Sequence, residues 1–161
     1  MDTIIEVLGA TFRMNTRLLE NCMQGVDDEL AGTRLCDKTN HMAFLAAHLV
    51  GARAYITGLV GGDGTDPFQD MLGAAKSIDE VEEFPKVADI LLQWSAVSER
   101  MLAALDTVDA QTLDGPPPFQ FPIADPTLLG GIAFLAQHDT YHIGQLALLR
   151  KHWGLGAMSY D

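Results

Sequence analysis

The sequence predicts an all-α four-helix bundle. Three observations point there: four segments carry apolar residues at helical spacing, none sustains the alternation of a strand, and the breaks between them are rich in glycine and proline. The first segment runs from about Thr3 to Met23, with Ile4, Leu8, Phe12, Asn15, Leu18/Leu19 and Cys22 on one stripe. "QGVDDELAGTRLCDKTN" then reads as a loop, with Asp37 or Thr39 as N-cap of the next helix. The second segment, from about Asn40 to Leu59, carries His41, Leu45, His48, Ala52, Tyr55 and Leu59 as a seam and stops at "GGDG".

A long crossover follows, "TDPFQDMLGAAKSIDEVEEF", in which Ser77 and Glu80 match a capping box. Pro85 suits a first helical position, and Val87, Ile90/Leu91, Trp94, Val97/Ser98, Met101 and Leu105 form the third stripe. "DGPPPFQFPIADP" is non-helical because of its prolines. Asp125 as N-cap with Pro126 behind it launches the fourth helix, which runs to about His152 and ends on the cations of "RKHW". The 161 residues make one domain, 1–161, with the long crossover between the second and third helices.

Charge narrows the partners. With 22 acidic and 10 basic residues the formal charge is −12, which repels phosphate backbones and anionic membranes. No nucleic acid and no membrane partner is expected. The N-terminal "MDTIIEVLG" has acids at Asp2 and Glu6 where a signal peptide needs cations, and His48 and Arg53 interrupt the most apolar run. Cys22 and Cys36 read as thiols of a cytoplasmic protein, with a disulfide between them left open.

The chemistry sits in "HDTYHIGQ", residues 138–145. Residues four apart on a helix differ by about 40° in azimuth, so His138 and His142 share a face. The series Leu128, Gly131, Leu135, His138, His142, Gln145, Leu149 alternates steps of three and four, which marks an inward seam. Imidazoles buried at leucine positions cost about 1–3 kcal/mol for each unsatisfied group, so something must bind them. His48, on the seam of the second helix among small alanines, is the third member. Three neutral imidazoles leave positions open on a divalent metal, the pattern of a catalytic site, and an ion in that core would lower the pKa of a thiol or water. The competing reading is a metal-free hydrogen-bonded cluster, with Gln145 and Tyr141 as partners.

Other residues fill out the picture. No Glu-x-x-His occurs, which excludes the di-iron bundle pattern, and Asp139 stands where a zincin carries glutamate. Asp139 lies about 100° round the helix from His138, facing the edge of the site or solvent, and is a weak candidate base. Arg13, Asn15, Tyr55 and Trp94 fall on or beside inward stripes. Arg13 is a weak candidate for holding an anionic substrate or a thiol's carboxylate. His41 and His152 are too far along their helices to join the cluster.

The segments "AAHLVGARAYITGLVGG" and "HDTYHIGQLALLRK" resemble the DinB/YfiT-like family of metal-dependent four-helix-bundle proteins, and the helix order agrees over the whole chain. The resemblance implies a metal triad of His48, His138 and His142, zinc or nickel as the ion, and dimers formed through bundle faces. It implies a small-molecule substrate and either thiol-dependent S-transfer, with a low-molecular-weight thiol, or metal-dependent hydrolysis. The alternative is a non-catalytic metal- or ligand-binding dimer. Gly144 is expected to permit close helix approach and Gln145 to hydrogen-bond within the site, with plain packing as the alternative for each.

Overall fold

A computed structural model describes residues 2–73, 75 and 77–161, with side chains from residue 4 onward. It contains helices α1 (Asp2–Met23), α2 (Asp28–Ala31), α3 (Met42–Leu59), α4 (Gln69–Leu72), α5 (Val87–Thr107), α6 (Ala110–Asp114) and α7 (Leu128–His152), with a 3-10 turn at Ile78–Glu80. Among the described residues there is no strand. The four long helices form the bundle: α1 packs on α5 and α7, and α3 packs on the same two. Helices adjacent in sequence, α1 with α3 and α5 with α7, therefore stand on diagonals.

Contacts fix the directions. Phe12 shares a core cluster with Leu128 and Ile132, whereas Cys22 lies against Ile143, so α1 and α7 run the same way. Trp94 donates to the carbonyl of Thr16 and Leu105 lies beside Ile5, so α5 opposes α1. Arg53 meets Ser98, and Phe44 meets Phe84 edge-on just before α5, so α3 and α5 are parallel. Parallel neighbours need a return path the length of a helix, roughly 30 Å for 20 residues, which is why the crossover between them is long.

Helix ends depart from the expected caps by a residue or two. His41, not Asp37 or Thr39, caps α3: its Nδ1 accepts from the Phe44 N–H at 3.1 Å. The Thr39 hydroxyl is already engaged with the backbone of Cys36 in the preceding turn. Ser77 makes no capping bond, and its segment forms only the 3-10 turn. Helix α5 starts at Val87 rather than Pro85, and its first N–H is satisfied by Asp28 of α2, inside the stretch expected to be plain loop. Thr127 rather than Asp125 caps α7, with its Oγ1 accepting from the Gly130 N–H. Cys22 and Cys36 are both free thiols.

The core is divided. One apolar cluster holds Leu18, Leu19, Leu45, Leu49, Trp94, Val97, Ile143 and Leu146; the other holds Phe12, Ile56, Met101, Leu128, Ile132 and Leu135. Between them lies a polar layer contributed by all four long helices: Asn15 and Thr16, Arg53, Ser98, and Asp139. Helix α3 has the length and composition to cross a membrane, but 61% of it is buried inside the bundle, as a core helix requires.

Candidate metal centre

The polar layer and the histidine cluster both draw on α3 and α7, and they divide one sequence motif between them. On α7 the buried positions are Leu128, Ile132, Leu135, Ala136, Asp139, Ile143, Leu146 and Leu149. The core-facing line therefore passes through Asp139, and the stripe through His138, His142 and Gln145 is its edge. The histidines are not in the interior, as expected, but at the rim of the groove between α3 and α7: His138 and His142 are half-buried and His48 is exposed.

At that rim the rings converge. The Nε2 atoms of His48 and His138 are 3.1 Å apart, as are those of His142 and His138. All three lie within 4.8 Å of one another. Two nitrogens that share an ion at about 2.0–2.1 Å stand no more than about 4.2 Å apart, so the 3.1 Å contacts fit a common cation. His142 Nδ1 donates to Gln145 Oε1 at 2.7 Å, which fixes the proton on Nδ1 and leaves the Nε2 lone pair facing its neighbours. Of the two roles expected of Gln145, the hydrogen bond within the site is the one made, and it orients the His142 ring.

Protonation state agrees with that geometry. Burial, reinforced by the nearby His142 ring, pushes His48 and His138 down to about 4. Both are neutral at pH 7, the form that ligates metals. The buried Nδ1 of His138, on the far side of the ring from the converging Nε2 atoms, has no hydrogen-bond partner among the described residues.

Asp139 occupies the opposite side of α7 from the one expected. It is fully buried, and its Oδ2 accepts from Arg53 Nε at 3.0 Å and Nη2 at 2.8 Å. The remaining guanidinium protons go to Thr16 Oγ1 at 2.6 Å, Ser98 Oγ at 2.5 Å and the Phe12 carbonyl at 3.1 Å. All five donors of Arg53 are used, and its Cζ lies 3.6 Å from the Trp94 ring centroid. Removal from water raises the Asp139 carboxyl above the ordinary carboxylate range, opposed by the Arg53 guanidinium, which keeps its charge. This carboxylate is committed to the core. Arg53 was legible only as an interruption of an apolar run; the signal that could have found its role is that a guanidinium among core positions requires an acid on a facing helix.

The other candidates separate. Arg13 is exposed, its guanidinium folded back over Gly9 on α1, apart from the cluster. Trp94 and Asn15 are fully buried, with Asn15 Nδ2 donating to Thr140 Oγ1 at 3.1 Å. Tyr141 is exposed, and no neighbouring element among the described residues lies within 4 Å of where a Cβ on Gly144 would stand, so the close helix approach expected there is not made. His41 is consumed as a helix cap, and exposed His152 packs on Trp153.

A cavity of about 450 Å³ opens beside the cluster, with His48 and His138 on its wall. Tyr55 of α3, Phe134 of α7, Phe119 and Phe121 of the proline-rich segment, and Asp66 and Gln69 of the crossover complete much of the lining. Phe121 can lie over α7 only because residue 131 is glycine: a Cβ there would stand 2.5 Å from its ring.

The model of the DinB superfamily matches residues 11–146, a span that includes all three histidines. The chain belongs to the DinB superfamily. Among solved structures it is similar to a DinB-like protein, YjoA, from Bacillus subtilis, at 14% identity and a TM-score of 0.62, over 99% of this chain and 97% of that one. At that identity the likeness concerns the fold. No curated protein matches the chain.

Proposed function

We propose that this DinB-superfamily chain is a metal-dependent enzyme in which His48, His138 and His142 hold one divalent ion, zinc or nickel, at the mouth of the α3–α7 cavity. The observation that carries the reading is the convergence of three Nε2 atoms, two pairs of them at 3.1 Å, with the His142 tautomer set by Gln145. Three imidazole ligands suit either metal and leave coordination positions for a substrate group. When bound, such an ion supplies Lewis acidity that lowers the pKa of a thiol or water.

The chain's own residues favour a thiol over water. No carboxylate belongs to the cluster among the described residues, and Asp139 is tied to Arg53. A thiol, with an unperturbed pKa of about 8.5, ionises near neutrality without an adjacent base, whereas water needs far more help. The reaction class is S-transfer from a low-molecular-weight thiol, with metal-dependent hydrolysis as its competitor. Metal analysis of untagged protein beside a panel of thiol and ester substrates tests this. Metal-dependent turnover with thiol, lost in His142→Ala, is the expected result; metal-free protein that turns over equally well contradicts it.

A second reading, a non-catalytic metal-binding homodimer, draws on the outer face of α7. Tyr141 is 58% and Leu148 62% exposed, with the uncovered Gly144 between them. That reading predicts one metal per chain and no turnover.

A further inference from the structure

The cavity beside the histidines has a chemical character of its own. An aromatic series runs along it from solvent to the cluster: Tyr55 stacks with Phe119 at 6.2 Å, Phe119 meets Phe121 at 4.5 Å, Phe121 meets Phe134 at 5.8 Å, and Phe134 meets His138 at 6.4 Å. Phe119 is 52% and Tyr55 39% exposed, so the outer rings have contact area to give. Aromatic rings lining a cavity in this way take a flat apolar body.

Against that wall stands a single carboxylate. Asp66 Oδ1 accepts from the Phe68 N–H at 2.9 Å, which fixes the side chain. Its Oδ2 lies over Gly51, one turn of α3 beyond His48, at 2.8 Å from where a Cβ would be, and has no hydrogen-bond partner among the described residues. Residue 51 must be glycine for the carboxylate to rest there. No lysine or arginine is among the described residues lining the cavity, and Arg13, the candidate for a substrate carboxylate, lies elsewhere.

We infer that the cavity binds a small aromatic molecule whose polar head is a cationic amine, the ring lying along Phe119, Phe121 and Phe134 and the ammonium paired with Asp66. The inference rests on the proposed function in one respect, that this cavity is where the substrate of the histidine site sits. An anionic ligand is disfavoured at this wall, because its charge would meet Asp66 with no lysine or arginine among the described lining residues to offset it.

The probes are 2-phenylethylamine, 2-phenylethanol and 3-phenylpropionate, titrated by heteronuclear NMR into the 161-residue chain treated with chelator, so that no probe is drawn to an ion. The amine is expected to bind about tenfold more tightly than the carboxylate, with the alcohol between, as one partly shielded charge pair gives. Shifts should concentrate at Phe119, Phe121 and Phe134. Asp66→Asn, which keeps the shape, should bring the three probes within about threefold of one another, and Phe119→Ala should weaken all three. Equal or tighter carboxylate binding, an amine preference that survives Asp66→Asn, or no shift at the cavity with any probe overturns the inference. Metal content of the same preparations before chelation reports separately on the three-histidine reading: amine selectivity without a metal site, or a metal site without selectivity, sinks one and leaves the other.

Discussion

His138 and Asp139 are neighbours in sequence, and they belong to two polar clusters of different construction: a buried ion pair in the core and a group of imidazoles at the rim. In the core layer, Arg53 spends all five donors on four side-chain contacts and one carbonyl, while Asp139 Oδ1 and Asn15 Oδ1 are buried with no hydrogen-bond partner among the described residues. At the rim, three Nε2 atoms converge and the buried Nδ1 of His138 is without a partner among the described residues. The first cluster pairs a cation with an anion and ties all four long helices together; the second brings together three imidazoles of one chemical kind from two helices, the donor set on which the proposed function rests.

The largest expected effect breaks the first cluster. Asp139→Ala leaves a buried guanidinium without its counter-ion, and a stability loss of about 3–5 kcal/mol is expected in urea denaturation. Replacing both partners, Arg53→Met with Asp139→Leu, should recover most of it, because the desolvation of both charges disappears together. If Asp139→Ala were as stable as the parent but inactive, the carboxylate would belong to the chemistry instead.

The rim should respond in the opposite way. His142→Ala in chelator should change stability by under about 1 kcal/mol, since it deletes no core contact. Added zinc or nickel at a hundredfold excess over its Kd should stabilise the parent by about 2.7 kcal/mol and the variant not at all, as read by thermal unfolding. Gln145→Leu should lower metal affinity about 10–100-fold without removing a ligand, measured by competition with a chromophoric chelator, because the His142 tautomer is no longer fixed.

How far these clusters were legible in the sequence differs for physical reasons. The helices and their breaks follow from spacing and proline, and the three histidines stand out as imidazoles among leucines. The depth of that stripe was not legible. Helix α7 carries apolar residues on nearly every side, Leu148 being 62% exposed, so two lines of three-and-four steps can be drawn and both look like a core. The angle of about 100° between His138 and Asp139 follows from helix geometry; which of the two points inward depends on Arg53, 86 residues away. Caps slipped because Thr39 and Asp125 were spent one turn early. The parallel arrangement of α3 and α5 leaves a trace only in the length of the crossover.

A smaller effect sharpens the contrast through pH. Unfolded histidines take up protons near pH 6.5, while His48 and His138 hold off until about 4. Between those values the unfolded chain binds more protons than the native one, so stability falls as pH drops through that window and levels below it. The exposure of His48 keeps the effect modest. Urea midpoints at pH 7, 5.5 and 4.5 should fall less steeply in the double variant His48→Asn, His138→Asn than in the parent. Bound metal should leave over the same window.

Anomalous diffraction at the zinc or nickel absorption edge, on crystals of untagged protein grown with that metal, tests the central claim most directly. A single peak is expected within bonding distance of the Nε2 atoms of His48, His138 and His142, with none near Asp139. Density that shows the three rings turned apart, or a metal bound only at surface carboxylates, contradicts it.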